Sequence, residues 1–328
     1  MINRKVASLF AGIGGICLGF KQAGYEIIWA NEINLASCKT YAHNFGSEYL
    51  AVGDIKNYNA IDLPDFDILT AGFPCQSFSI GGHQKGFEDN RGVMFFEVTR
   101  IVKAKNPNIV FLENVENLLN HDNGKTFFVI YNSLASLGYA VKYLVMPTNE
   151  YGNLPQARRR IYLLAFLDYG LCDRFCFPSK LPLATQIENI VIRSEEKNSV
   201  YYYKRDSQLW FKLNSYIGKS NNLFRMYKGQ IRCTRYSHLC PTLTASMCNE
   251  HNAVVFRDNK GIRRLTLREC LDMQGFPNDF YFPNTISLEN AYRQIGNSVS
   301  VPVVKRIAQK LSEAILSQTL QQEHGYGM

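Results

Sequence analysis

Residues 5–15 read KVASLFAGIGG, an apolar run that ends in a glycine cluster. Aliphatic residues followed by Gly12, Gly14 and Gly15 predict a buried strand. A tight turn follows, where backbone can approach a ligand closely, and then a helix over residues 16–22. The same texture recurs without sequence repetition. Apolar runs at 25–32, 49–55, 66–72, 108–115, 139–146 and 160–166 alternate with amphipathic stretches at 34–44, 92–105 and 126–137, and Gly24 and Gly138 supply stops. This alternation predicts a doubly wound α/β fold, a mostly parallel sheet with helices on both faces.

Beyond Phe177 the texture changes. FPSKLPLATQ (177–186) is a proline-bearing connector, and the residues after it are polar, aromatic and basic without clear helical period. A second, smaller domain is expected there. Helical texture returns at 266–276 and at 301–320, the latter long and amphipathic enough to pack back on the first domain. With 328 residues, 46% of them hydrophobic, the chain can bury a large core. No apolar run approaches the roughly 18 residues of a membrane span. The N-terminus lacks the features of a signal peptide. Nine scattered cysteines fit reduced thiols. A cytoplasmic monomer without membrane contact is the expectation.

In an open sheet of this class, ligands collect outside the carboxyl ends of the strands, so the residues just past each run carry the chemistry. The glycine turn follows the first run. Glu32 closes the second, an acid about 20 residues further on, suited to ribose hydroxyls. Asp54 closes the third and suits an exocyclic amine. Together they describe an adenine nucleoside site. Cys17 stands where a GxGxxG phosphate turn would place its third glycine, so S-adenosylmethionine, which has no phosphate, fits better than NAD. GFPCQSFS (72–79), with Cys75, follows the fourth run, and Glu113 in ENV follows the fifth. QARRR (156–160) precedes the seventh, where alternation puts Arg158 and Arg160 on one side. A thiol, a carboxyl and two guanidiniums thus share one edge, a set suited to nucleophilic and acid catalysis.

Taken in order, FAGIGG (10–15), GFPCQSFS (72–79), GHQKGFEDNRGVMFFE (82–97), ENV (113–115), QARRR (156–160), RRLTLRECLDMQGFP (263–277) and GNSVSVPV (296–303) resemble the bacterial cytosine-5 DNA methyltransferases of restriction-modification systems. The resemblance implies a Rossmann-like S-adenosylmethionine-dependent methyltransferase domain from residues 1–177 and 293–328, with a smaller, mixed target-recognition domain from 178–292. It implies Cys75 as nucleophile toward C6 of cytosine and Glu113 near N3. Arg158 would position the base, and Arg160 would order the loop and Glu113. Cofactor contacts are expected at Phe10, Gly12, Gly14, Glu32, Asp54, Ile55, Pro74, Asn297 and Ser298. The implied reaction methylates C5 of a flipped-out cytosine in a specific double-stranded DNA sequence and protects that DNA from a partner restriction endonuclease. A tRNA cytosine-5 methyltransferase and a non-catalytic DNA-binding relative are the alternatives. Cys75, Glu113 and Arg158 weigh against the second, and GFPCQSFS with a basic recognition domain weighs against the first.

Residues 193–235 hold ten Lys or Arg and three acids, a net +7 of the chain's +8. Aromatic residues from Tyr201 to Tyr227 interleave with them, as expected for a small core whose face meets phosphate. DNA contacts are expected at Arg232 and Arg235, and at Thr242 and Leu243 of PTLTA, which resembles the family's Thr-Leu element. Ser79 is a candidate to enter the space vacated by the flipped base. Cys233, His238, Cys240, Cys248 and His251 lack a CxxC pair, so no metal is expected.

Overall fold

The computed structural model describes residues 4–73, 93–218, 220, 222–233 and 238–325; at 93, 232, 233 and 318–325 it describes backbone only. Pro74, Cys75, Ser79 and Arg235 therefore lie outside the described residues. The first part runs β1 (Lys5–Leu9), α1 (Gly15–Gln22), β2 (Glu26–Glu32), α2 (Leu35–Phe45), β3 (Leu50–Val52), β4 (Ile68–Ala71), α3 (Val93–Lys105) and β5 (Ile109–Val115). It continues with α4 (Lys125–Ser136), β6 (Ala140–Pro147), α5 (Thr148–Tyr151), β7 (Arg159–Phe166) and α6 (Tyr169–Arg174). All seven apolar runs become strands of one sheet, ordered β3-β2-β1-β4-β5-β7-β6. Neighbours pair in parallel except at β7, which is antiparallel to both β5 and β6.

Period-two alternation sorts the strand residues between two cores. Val6, Ile68, Ile109 and Phe111 point to one face, where Phe20 of α1 meets Val304, Ile307 and Leu311 of α10 (Val301–Gly325). Ala7, Leu69, Val110 and Leu112 point to the other, under Val98 and Ile101 of α3 and Ile130 and Leu134 of α4. The strands are apolar on both sides because both sides are covered.

The second part contains α7 (Gln208–Ile217), β8 (Phe224–Tyr227), β9 (Gln230–Cys233), β10 (Val254–Arg257), β11 (Ile262–Arg264), α8 (Leu267–Gln274) and α9 (Leu288–Asn297). Its four strands form an antiparallel sheet ordered β11-β10-β8-β9. Lys228 and Gly229 both adopt positive φ, 49° and 70°, the two-residue turn that joins β8 to β9. The sequence reading found no helix in 187–265 and none at 288–297, yet α7 and α9 are there. Each carries a short local signal. Ser207 caps α7 by accepting from the Trp210 amide at 3.1 Å, and Ser287 caps α9 by accepting from the Asn290 amide at 3.2 Å. Each also carries a short apolar stripe at helical spacing, Leu209, Trp210, Leu213 and Ile217 in α7 and Leu288, Ala291, Tyr292 and Ile295 in α9.

The two parts share buried residues. Ile13 and Leu18 share one core with Leu243, Leu271, Phe276 and Ile295. Among the described residues no helix is long and apolar enough to cross a membrane.

Candidate active site

The glycine turn after β1 is built from positive φ at Phe10 (54°), Gly12 (58°) and Gly14 (86°). Phe10 is no glycine, and holding it there costs about 1–3 kcal/mol, a strain typical of ligand sites. Glu32, at the end of β2, stabilises the turn. Its Oε2 accepts from the Gly12 amide at 2.8 Å and its Oε1 from the Asn34 amide at 2.7 Å. A carboxylate has about four lone-pair sites, so Glu32 retains acceptor capacity after both bonds. Helix α1 starts directly after the turn with no side-chain cap, and its amides are available to a negative group.

Across the sheet, Glu113 near the end of β5 is buried, with its Oε1 3.1 Å from Nε of Arg160. The approach is close but poorly angled, and Oε1 has no hydrogen-bond partner among the described residues. Burial pushes the Glu113 pKa up, opposed by the charges of Arg160 and Arg158. The carboxyl is thereby held toward its neutral, proton-donating form. Its neighbour Asn114 donates from Nδ2 to the carbonyl of Phe73 at 3.0 Å, anchoring the residue before Pro74. The sequence gives no local signal for that role.

Arg158 is wholly buried and turned to main-chain acceptors. Nη1 donates to Leu243 O at 2.9 Å, and Nη2 donates to Ser298 O. Burial, then the like charge of Arg160, lowers its pKa to about 9, so it stays cationic at neutral pH. Its Nε is buried without a hydrogen-bond partner among the described residues and it borders the same cavity as Glu113, while Arg160 is the guanidinium beside the carboxyl.

A cavity of about 490 Å³ joins these features. Phe10, Gly12 and Glu32 border it at one end, Glu113, Arg158 and Arg160 at the other, and Asn297 and Ser298 along the side. Lining residues outside the expected set include Ile33, 59% exposed beside Glu32, and Arg293 and Gln294 on α9. Ile33 is the one with a readable signal, an apolar residue directly past a strand end. Gln294 Nε2 and Ser298 Oγ are buried without partners among the described residues. Unpartnered donors beside a glycine turn and an uncapped helix start fit a ligand that carries a carboxylate, and Glu32 fits its ribose. S-adenosylmethionine has both.

Some expected site residues lie elsewhere. Gly14 does not border the cavity; it caps α1, where a side chain would strike Phe45. Asp54 caps a short helical turn after β3, accepting from the Lys56 amide at 3.0 Å. Ile55 is buried in the core under α3. Leu243 is also fully buried, so its side chain offers no surface to DNA, and Thr242 Oγ1 donates to Ala157 O at 2.6 Å. Arg232 lies in β9, in register with Arg225. No three His, Cys, Asp or Glu side chains among the described residues are grouped to hold a metal ion.

The model of the C-5 cytosine-specific DNA methylase family matches residues 4–313. Type II methyltransferase M.Bsp6I of Bacillus sp. (strain RFL6) is 43% identical over 316 residues, covering 95% of this chain and 99% of its own. Type II methyltransferase M.HhaI of Haemophilus parahaemolyticus is 35% identical over 319 residues, covering 95% of each. Among solved structures, a Spodoptera frugiperda DNMT2 variant superposes with a TM-score of 0.71 at 20% identity, over 94% of this chain and 99% of its own. A DNA modification methyltransferase encoded in an Escherichia coli prophage gives 0.71 at 21% identity, over 95% and 99%. At those identities the two structures speak for the fold alone.

Proposed function

The chain belongs to the C-5 cytosine-specific DNA methylase family, which moves a methyl group from S-adenosylmethionine to C5 of cytosine in DNA, and from that premise we propose how its own residues divide the work. Phe10, Gly12, Glu32, Asn297 and Ser298 hold the cofactor. Bound there, it supplies an electrophilic methyl carbon on a sulfonium. C5 of cytosine is a weak nucleophile, so the ring must first be activated. The thiolate of Cys75 adds to C6, forming an S–C6 bond and shifting electron density to C5. Glu113, kept toward its neutral form by burial, hydrogen-bonds N3 and the 4-amino group and takes up the charge that addition creates. Arg160 orders the loop and Glu113, and Arg158 helps position the base and stabilise the charged intermediate. After C5 is methylated, its proton leaves to water, the S–C6 bond breaks, and Cys75 returns as thiolate.

The observation that carries this reading is the shared cavity, with a buried carboxyl facing Arg160 at one end and the glycine turn with Glu32 at the other. A cytosine must leave the duplex to reach it, at about a few kcal/mol. Ser79 is proposed to enter the gap left by the flipped base. Arg232, Arg235 and Thr242 are proposed to meet the DNA. We retain the division at 178–292 for the recognition domain, a cytoplasmic monomer as the working state, and a restriction endonuclease as functional partner.

DNA with 5-fluorocytosine at the methylated position, mapped by bisulfite sequencing of DNA from a host expressing the protein, tests the chemistry. Fluorine cannot leave as a proton does, so the wild type should form a denaturation-resistant adduct and Cys75→Ser should form none. An adduct that survives Cys75→Ser, or none with wild type, would sink the covalent route.

A further inference from the structure

Arg225 lies on β8 of the recognition sheet, and its planar guanidinium bridges two acceptors. Nη1 donates to Thr242 O at 2.9 Å and Nη2 to Thr244 Oγ1 at 2.8 Å. Both acceptors belong to a segment sewn to the lead-in of β7. Cys240 N donates to Pro155 O at 2.7 Å, Ala157 N to Cys240 O at 2.8 Å, and Leu243 N to Gln156 Oε1 at 3.1 Å. Thr242 Oγ1 and Arg158 Nη1 close the same seam on Ala157 O and Leu243 O. Two residues past Arg158 stands Arg160, against Glu113. The seam has no slack on its far side, because a Cβ on Gly296 would collide with the backbone of Thr244 and Ala245.

We propose that Arg225 is a positioning residue that makes the rate of methyl transfer, and not only DNA binding, depend on the sequence the β8–β9 hairpin has engaged. This rests on the reading that Glu113 and Arg160 handle the base. A hairpin seated on matching base edges leaves the Arg225 fork on Thr242 and Thr244, and residues 155–160 in register with Glu113. A poorly seated hairpin pulls the fork away. Close-packed seams of this kind switch between arrangements rather than stretch, and a displacement of about 1 Å at a reacting centre lowers rate by about 100-fold.

The test compares Arg225→Met and Arg225→Lys with wild type, using a duplex carrying the mapped target sequence and one with a single flanking base changed. Single-turnover methylation rate and duplex Kd are both measured. Both variants should lower the rate on the matched duplex about tenfold while Kd moves less than about threefold, and the matched-to-mismatched rate ratio should fall in step. Lysine should not rescue, since one ammonium cannot span both acceptors in fork geometry. A weakened Kd at unchanged rate, or full rescue by lysine, would assign Arg225 to a phosphate contact and overturn the proposal. If Arg225→Met does not fold, Thr244→Val removes one acceptor only; it should slow transfer by about twofold or more, and an unchanged rate overturns the coupling. Glu113→Gln in the same assay separates the two ideas. Wild-type turnover there defeats the carboxyl reading itself, whereas loss of turnover with Arg225 variants at wild-type rate defeats only the coupling.

Discussion

Glu32 and Glu113 lie at the same edge of one sheet and are almost equally buried, 8% and 7% exposed, so burial does not distinguish them. Their partners do. Glu32 accepts a backbone N–H on each oxygen, which satisfies a charged carboxylate. Among the described residues Glu113 has no aligned donor on Oε1, with Arg160 nearby, and its pKa is raised. One acid is held as an acceptor and the other is kept available as a donor, and neighbouring groups rather than residue type set the difference.

Replacing each acid in turn should pull this contrast apart. The largest effect belongs to Glu113→Gln, which keeps the shape and removes the transferable proton. Methyl transfer should fall by about 10²–10⁴-fold, with cofactor affinity by calorimetry nearly unchanged. Equal loss of affinity would merge the two acids into one role. Next comes Glu32→Gln, which turns an amide NH₂ toward the Gly12 or Asn34 amide and leaves a buried donor unpaired, a penalty of about 1–3 kcal/mol. Cofactor Kd should weaken by about 10–100-fold, while the rate at saturating cofactor changes far less.

The smallest effect is on stability. A carboxyl whose folded pKa is raised contributes stability that is complete below its unfolded pKa and is lost as pH rises through the folded pKa. The melting temperature of Glu113→Gln minus that of wild type should therefore increase with pH across that window. A gap that stays flat from acid to neutral pH would show that Glu113 is not perturbed by its burial.

The sheet was legible because its signal is local and repeated. Seven apolar runs with glycine stops carry their own period, and Glu32 and Glu113 were found by asking what stands past each strand end. The recognition part was less legible. In α9 the apolar stripe of Leu288, Ala291, Tyr292 and Ile295 spans only ten residues beside a polar face that borders the cavity, too short a stretch to stand out from the polar sequence around it. Arg158 shows a different limit. Strand alternation placed it beside Arg160, but its acceptors are the carbonyls of Leu243 and Ser298, more than 80 residues away in the chain. No spacing within QARRR encodes that pairing. Leu243 likewise looks like any residue of a surface motif until the long-range packing buries it.

The packing of α10 on α1 also sets an order in time. Val6 and Phe20 are made well before Val304, Ile307 and Leu311, which cover them in the folded chain. During synthesis at about 5–20 residues per second, that apolar face is open for tens of seconds, a period in which a nascent chain depends on chaperones or on loose local collapse. Asn297, Ser298 and Val299, which line the cavity, directly precede α10, so a chain still short of them presents no finished cofactor cavity.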